Sequence, residues 1–274
     1  MTTTQPTLAS LAKSLNIRAL EDRWLSAIED GDARDDMLNA LAELTRAGKG
    51  DVAAGLGSTW LSMYKESAAA EDVLALAREI VLRTADTEDM RKELVRLYET
   101  VHGNRPELPQ LLEVSGLRGG KSPRRALRTL EIGLNTRVGD FLISRSDEHV
   151  VRVTAIDTNT LEFTVQGKRG VSQTFDPDAL AMAYDPVNEG DFRVLIQLQP
   201  ERITEMLEKD PVNLVIGILH SHRGRMDSDQ LEHALVPSFL PPARWKDWWS
   251  KAKTALKRCS NIVLEGRNPI ILTY

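Results

Sequence analysis

Apolar positions in the first hundred residues recur at three- and four-residue steps. The sets are Leu20, Trp24 and Ile28; Met37, Leu38, Leu41 and Leu44; Leu56, Trp60, Leu61 and Tyr64; Val73, Leu74, Ala77, Ile80 and Val81; and Leu94, Leu97, Tyr98 and Val101. This 3.6-residue period predicts five or more amphipathic helices, with breaks at Gly31, 48–50, 67–70, 85–86 and Gly103. Helices of this length on short joins suit antiparallel pairs stacked as an α-helical solenoid, or an ordinary bundle. No repeat signature is strict enough to name a repeat class. Over 106–123 the residues Pro106, Pro109, Gly116, Gly119, Gly120 and Pro123 crowd together, which predicts a linker.

Beyond a short helix predicted over 122–132, the period changes from helical to two. Runs at 141–144, 149–156, 161–165 and 171–175 alternate between apolar and polar residues, with turn residues at 147–148, 157–159 and 167–170. Short strands on tight turns predict a small SH3/Tudor-like β-barrel, better suited to binding than to enclosing a substrate. Asp176 reads as a helix cap. The helical period returns at 210–222, at 227–236 with Asp227 or Ser228 as N-cap, and at 241–258. Two β-branched runs, 261–265 and 269–274, then flank Gly266, Arg267 and Asn268, a hairpin signal. Three helices followed by a two-stranded wing is the order of a winged helix-turn-helix. The expected fold class is α+β and multidomain: a helical solenoid or bundle over 1–112, a linker helix and barrel over 113–190, and a winged-helix-like unit over 191–274.

The helix at 241–258 changes the picture most. Its sequence, PPARWKDWWSKAKTALKR, holds three of the five tryptophans and six cations against Asp247, a local net charge of +5. Trp245, Trp248, Trp249, Ala252 and Leu256 make one apolar face, with Trp245 and Trp249 expected to share its buried centre and Trp248 its edge. Arg244, Lys246, Lys251, Lys253, Lys257 and Arg258, extended by Arg267 at the wing tip, are candidate nucleic-acid contacts, because the third helix of such a module is its usual recognition element. A solvated basic face gives the same pattern. A second basic patch, Arg118, Lys121, Arg124, Arg125 and Arg128, opposes only Glu131 within 118–137. The chain as a whole carries −5, and its first hundred residues hold 12 basic and 18 acidic side chains. Any phosphate contact is therefore local, not a bulk-charge effect.

Candidate catalytic chemistry is sparse. At 274 residues, 42% apolar and 27% charged, the composition is that of an ordinary soluble protein. There is no run of eighteen apolar residues, and the first fifteen residues lack the form of a signal peptide, so a cytoplasmic location and no membrane partner are expected. Cys259 is the single cysteine and reads as a small packing residue. His220 and His222 sit two apart, which directs them away from each other on a helix; His149 and His233 stand alone. No metal site, phosphate loop or nucleophile motif is expected, nor any cofactor or catalytic residue.

The segments RVGDFLISRSDEHVVRVTAIDTNTLEFTVQGKRGVSQTFDPDALAMAY, DPVNLVIGIL and RWKDWWSKAKTALKRCSNIVLEGRNPIIL resemble the long N-terminal extension of Gre-type bacterial transcription elongation factors. The resemblance covers about residues 130–274 and is most specific at Trp245, Trp248, Trp249, the basic helix and Glu265-Gly266-Arg267. It implies helical repeats, a Tudor-like barrel and a Trp-rich winged-helix-like unit, and association with RNA polymerase or a transcription complex. Gre factors promote transcript cleavage through an acidic tip on a long helical hairpin. Nothing here matches that device, so no cleavage activity is expected unless a Gre-type domain follows Tyr274. A protein–protein adaptor whose basic islands meet acidic partners, with no nucleic-acid contact, is the alternative.

Overall fold

The computed structural model describes residues 6–31 and 34–274. The start of the chain, residues 1–5, lies outside them. Contacts divide the chain into two compact units, Met1–Leu134 and Asn135–Tyr274. None of the described helices is long and apolar enough to cross a membrane.

The first unit holds α1 (Leu8–Lys13), α2 (Ile17–Asp30), α3 (Arg34–Arg46), α4 (Gly50–Tyr64), α5 (Ala70–Val81), α6 (Glu88–His102), α7 (Leu108–Ser115) and α8 (Pro123–Asn135). From α3 to α6 each helix packs on its neighbour in sequence, whereas α1 packs chiefly on α3, and α2 on α4 as well as α1; the apolar periods of α2 to α6 point inward, with Leu20, Leu41, Leu44, Ala77, Ile80 and Leu94 fully buried. Polar atoms fix the joints. Asp36 of α3 accepts from the Leu8 and Ala9 amides at 2.6 and 3.1 Å, satisfying two of the N–H groups that α1 cannot satisfy internally. The Trp24 indole donates to the Leu56 carbonyl at 3.1 Å, and its ring meets Trp60 edge-on.

The expected linker at 106–123 is largely absent. Residues 108–115 form α7, with Leu108, Leu111 and Leu112 buried, and Leu117 beyond it is buried too. Pro109 stands in the first turn, where its missing N–H costs nothing, and Gly116 caps the end at φ 69° in the left-handed region. The turn that follows is clamped by Arg91, which donates to the carbonyls of Leu117 and Lys121 at 2.9 and 2.7 Å while paired with Asp86. Helix α8 belongs to this unit rather than to the strands: Tyr98 donates to Glu131 at 2.6 Å, Arg78 pairs with Glu131 at 2.9 Å, and a Cβ at Gly133 would lie 2.5 Å from the Leu111 side chain.

The second unit opens with β1 (Phe141–Ser144), β2 (Val150–Asp157), β3 (Glu162–Gly167) and β4 (Ser172–Phe175), then α9 (Pro177–Ala183), capped by Asp176, and β5 (Tyr184–Val187). They form one antiparallel sheet in the order β4-β3-β2-β1-β5. Phe175 of β4 and Tyr184 of β5, on the two edge strands, meet edge-to-face at 5.5 Å. Helices α10 (Phe192–Leu198), α11 (Pro200–Lys209) and α12 (Pro211–Ser221) follow, then β6 (Arg225–Asp227), α13 (Ser228–Leu235), α14 (Pro242–Leu256), β7 (Val263–Glu265) and β8 (Ile271–Thr273). The sheet and the helices are not separate bodies. Val194 of α10 is buried with Phe141, Ile143 and Val150, and Gln197 accepts from the Val150 amide and donates to the Glu148 carbonyl at 2.9 and 3.1 Å.

Replacing Leu111 by Ala should destabilise the chain by about 2–5 kcal/mol, as truncation of a buried leucine does. Urea denaturation measures it; a change near zero would return residues 106–123 to the status of a linker.

Candidate nucleic-acid interface

The C-terminal elements run α12, β6, α13, α14, β7, β8, and their three strands pair in the order β6-β8-β7. Helix α13 begins with a full capping box: Asp227 accepts from the Asp229 and Gln230 amides, and the Gln230 side chain accepts from the Asp227 amide. The β7–β8 hairpin is tied to the same point, because the Ser228 amide donates to the Ile270 carbonyl at 2.8 Å and the Ile270 amide to Ser228 Oγ at 3.2 Å. In the turn of the hairpin, at this same end, Gly266 has φ 79°, with the Pro269 carbonyl 3.1 Å from where a Cβ would stand. A side chain there would be strained twice over, and Arg267 follows, exposed at the tip.

Helix α14 starts at Pro242, a first-turn proline preset for helical φ. Ala252 and Leu256 are fully buried, Leu256 in a core shared with Leu214, Ile218, Leu231, Leu235 and Leu272. The tryptophans correct the expectation drawn from spacing. All three are half-buried against that core. Trp248, expected at the edge, is the fastened one: its indole donates to the Leu207 carbonyl at 2.8 Å. It stands four residues before Ala252, as Trp249 stands three before, so the two straddle the buried row equally. Trp245 stacks on both, with centroids 5.5 Å from Trp248 and 5.8 Å from Trp249.

With one side of α14 turned to the core, its cations fall on two flanks. Arg244 and Lys251, seven apart, share one, and Arg258 just past the helix continues it. Lys246, Lys253 and Lys257 share the other. All are exposed except Lys253, which is half-buried with its Nζ 6.0 Å from the centre of the Trp249 ring, at cation–π range. No ion pair holds any of these seven cations, Arg267 included, among the described residues.

The second basic patch lies in the other unit and is arranged differently. Arg118 pairs with Glu99 at 3.0 Å. Lys121 donates to the Val114 carbonyl at 2.7 Å, and Arg128 is half-buried. Arg124 and Arg125 are exposed on the first turn of α8. Among the histidines, His220 meets the Tyr274 ring edge-on at 4.9 Å, and His222 Nδ1 lies 2.9 Å from the Ile218 carbonyl. These rings serve local packing and capping.

Residues 193–274 match the family model of the GRAD helix-turn-helix domain. The match begins in α10 and runs to Tyr274, so it takes in both α14 and the hairpin. Comparison with curated proteins and with solved structures gives no match.

Sequence reasoning had no view of Leu207, the acceptor that fastens Trp248. Its signal was present: Ile203 and Leu207 stand four apart ahead of Pro211, the mark of a helix ending against a proline. Trp248→Phe keeps the ring and deletes the donor. It should cost about 1–3 kcal/mol in urea denaturation, the penalty for stranding a buried carbonyl; an unchanged midpoint would show that water serves Leu207 equally well.

Proposed function

We propose that this chain is a transcription-associated interaction protein whose C-terminal winged helix-turn-helix meets nucleic-acid phosphates through α14 and the hairpin tip. One observation carries the reading. In a β6-β8-β7 winged topology matched to a helix-turn-helix family, the third helix presents unpaired cations on two flanks and a further arginine at the wing. Arg244, Lys251 and Arg258 on one side, and Lys246, Lys253 and Lys257 on the other, are spaced to follow two backbones or the two sides of one groove.

The remaining parts fit a scaffold that reads no sequence itself. The strand order β4-β3-β2-β1-β5, with a short helix before the last strand and the Phe175–Tyr184 contact between its edges, supports a small SH3/Tudor-like barrel. From α3 to α6 the helices pack on their neighbours in sequence, which supports a solenoid-like stack there. In this reading both bind proteins, RNA polymerase or a transcription complex being the partner that the Gre-type resemblance implies. The reading assigns the chain no reaction, transcript cleavage included. The half-exposed stack of Trp245, Trp248 and Trp249 favours a second reading, in which that end of α14 holds a protein and no nucleic acid.

Anisotropy of a labelled duplex over a salt series separates the two. Wild type should bind at low salt with a linear decline of log K against log salt. Lys251→Gln, Lys253→Gln and Lys257→Gln together should reduce the slope by roughly one per lost contact and weaken binding alike for unrelated sequences. Absence of binding at low salt, or a triple variant equal to wild type, would hand α14 to the adaptor reading. Affinity capture of the tagged chain should recover RNA polymerase subunits, and their absence would remove the polymerase partner from the proposal.

A further inference from the structure

The N-terminal unit contains a cationic site that the nucleic-acid reading does not use. An open depression of about 590 Å³ is lined by Thr45 and Arg46 of α3, Glu79 of α5, Arg83 and Thr84 of the α5–α6 connection, and Arg124 of α8. Three guanidinium groups from three separate parts of the chain line it with a single carboxylate, a formal charge of +2. Chain segments some eighty residues apart converge on it.

Its parts are not equally committed. Arg83 is fixed: it is paired with the Glu79 carboxylate and donates to the Glu79 carbonyl at 3.1 Å, while its own carbonyl accepts from Thr45 Oγ1 at 2.8 Å. Arg46 pairs only with Glu43 one turn back, and its side chain is 67% exposed. A solvated pair of that kind is worth little and is readily exchanged for a better anion. Arg124 is exposed and no ion pair holds it among the described residues.

We propose that the depression ringed by Arg46, Arg83 and Arg124 is a binding site for a phosphate monoester dianion. A terminal phosphate carries close to two negative charges near neutral pH and presents three free oxygens, which suit several guanidinium donors. A phosphodiester brings half that charge and one fewer free oxygen. The source is either a phosphorylated side chain of a partner or a small phosphorylated molecule.

Calorimetric titration of the full chain at low ionic strength tests this with three probes: inorganic phosphate, O-phosphoserine and dimethyl phosphate. The two dianions should bind saturably and dimethyl phosphate should not; affinity should fall as pH drops through about 6, where the dianion takes up a proton. Tighter binding of O-phosphoserine than of inorganic phosphate would assign a phosphorylated side chain, and the reverse order a small molecule. Arg124→Gln and Arg46→Gln, both exposed, should each weaken binding about tenfold, as loss of a charge-assisted hydrogen bond does, whereas Arg118→Gln, outside the depression, should change nothing. Equal binding of dimethyl phosphate, or undiminished binding by the Arg124 variant, would overturn the site. Duplex binding by α14 is read separately, so either proposal can fail alone.

Discussion

A missing hydrogen on Pro211 sets the position of the basic helix. Leu207 lies in the last turn of α11, where its carbonyl would take the amide of the residue four ahead. That residue is Pro211, which has none. The vacancy in the ladder is filled from elsewhere, by the indole of Trp248 at 2.8 Å. An amide-type bond to a carbonyl withdrawn from water is worth more through the penalty it avoids than through its own strength. Together with burial of Ala252 and Leu256 it fixes the roll of α14 about its own axis. Once that roll is fixed, Arg244, Lys251 and the lysines of the opposite flank have nowhere to point but away from the core.

The same logic places the wing. Its tip residue Arg267 stands three residues before Ile270, and the hairpin is held at both ends. Beside the turn Ser228 exchanges two hydrogen bonds with Ile270, and at the open end the Tyr274 amide donates to the Gly224 carbonyl at 2.8 Å. The cap of α13 and the turn of the hairpin are thus one structure. A change at Asp227 or Ser228 would move the wing relative to α14 without touching a cation.

Where periodicity was long and unbroken, sequence revealed the element: α2 to α6, the first four strands and α12 to α14 all lie where apolar spacing puts them. What escaped has physical reasons. Pro106, Pro109 and Gly116 were read as the composition of a linker, yet two of them are the start and stop of α7, and a two-turn helix shows too little period to outweigh them. Strand β5 carries Pro186, tolerated because β5 lies at the sheet's edge. Strand β6 is three residues long and exists only because it pairs with the end of the chain, forty-odd residues away; no local window contains that. For the site, charge and spacing identified the cations of α14. Only the contact with Leu207 ranks Trp248 among the tryptophans, and the Arg46–Arg83–Arg124 convergence depends on a fold that sequence proximity does not suggest.

The strongest reason to regard α14 as more than a solvated face is what its charges do to the helix itself. In the N-terminal unit Arg78, Arg91 and Arg118 each answer a carboxylate, and Arg91 also gathers backbone carbonyls. Among the described residues no ion pair holds the cations of α14. Lys253 and Lys257 stand four apart, a like-charged pair that costs a helix about 0.2–0.5 kcal/mol. Arg244 and Lys246 sit near the N-terminus, where the helix dipole disfavours positive charge. These penalties are small, and the dipole's gain at Lys253, Lys257 and Arg258 at the other end opposes them. An anion bound to the cations of α14 would relieve the repulsion between them, and counterion release would then add to the binding free energy.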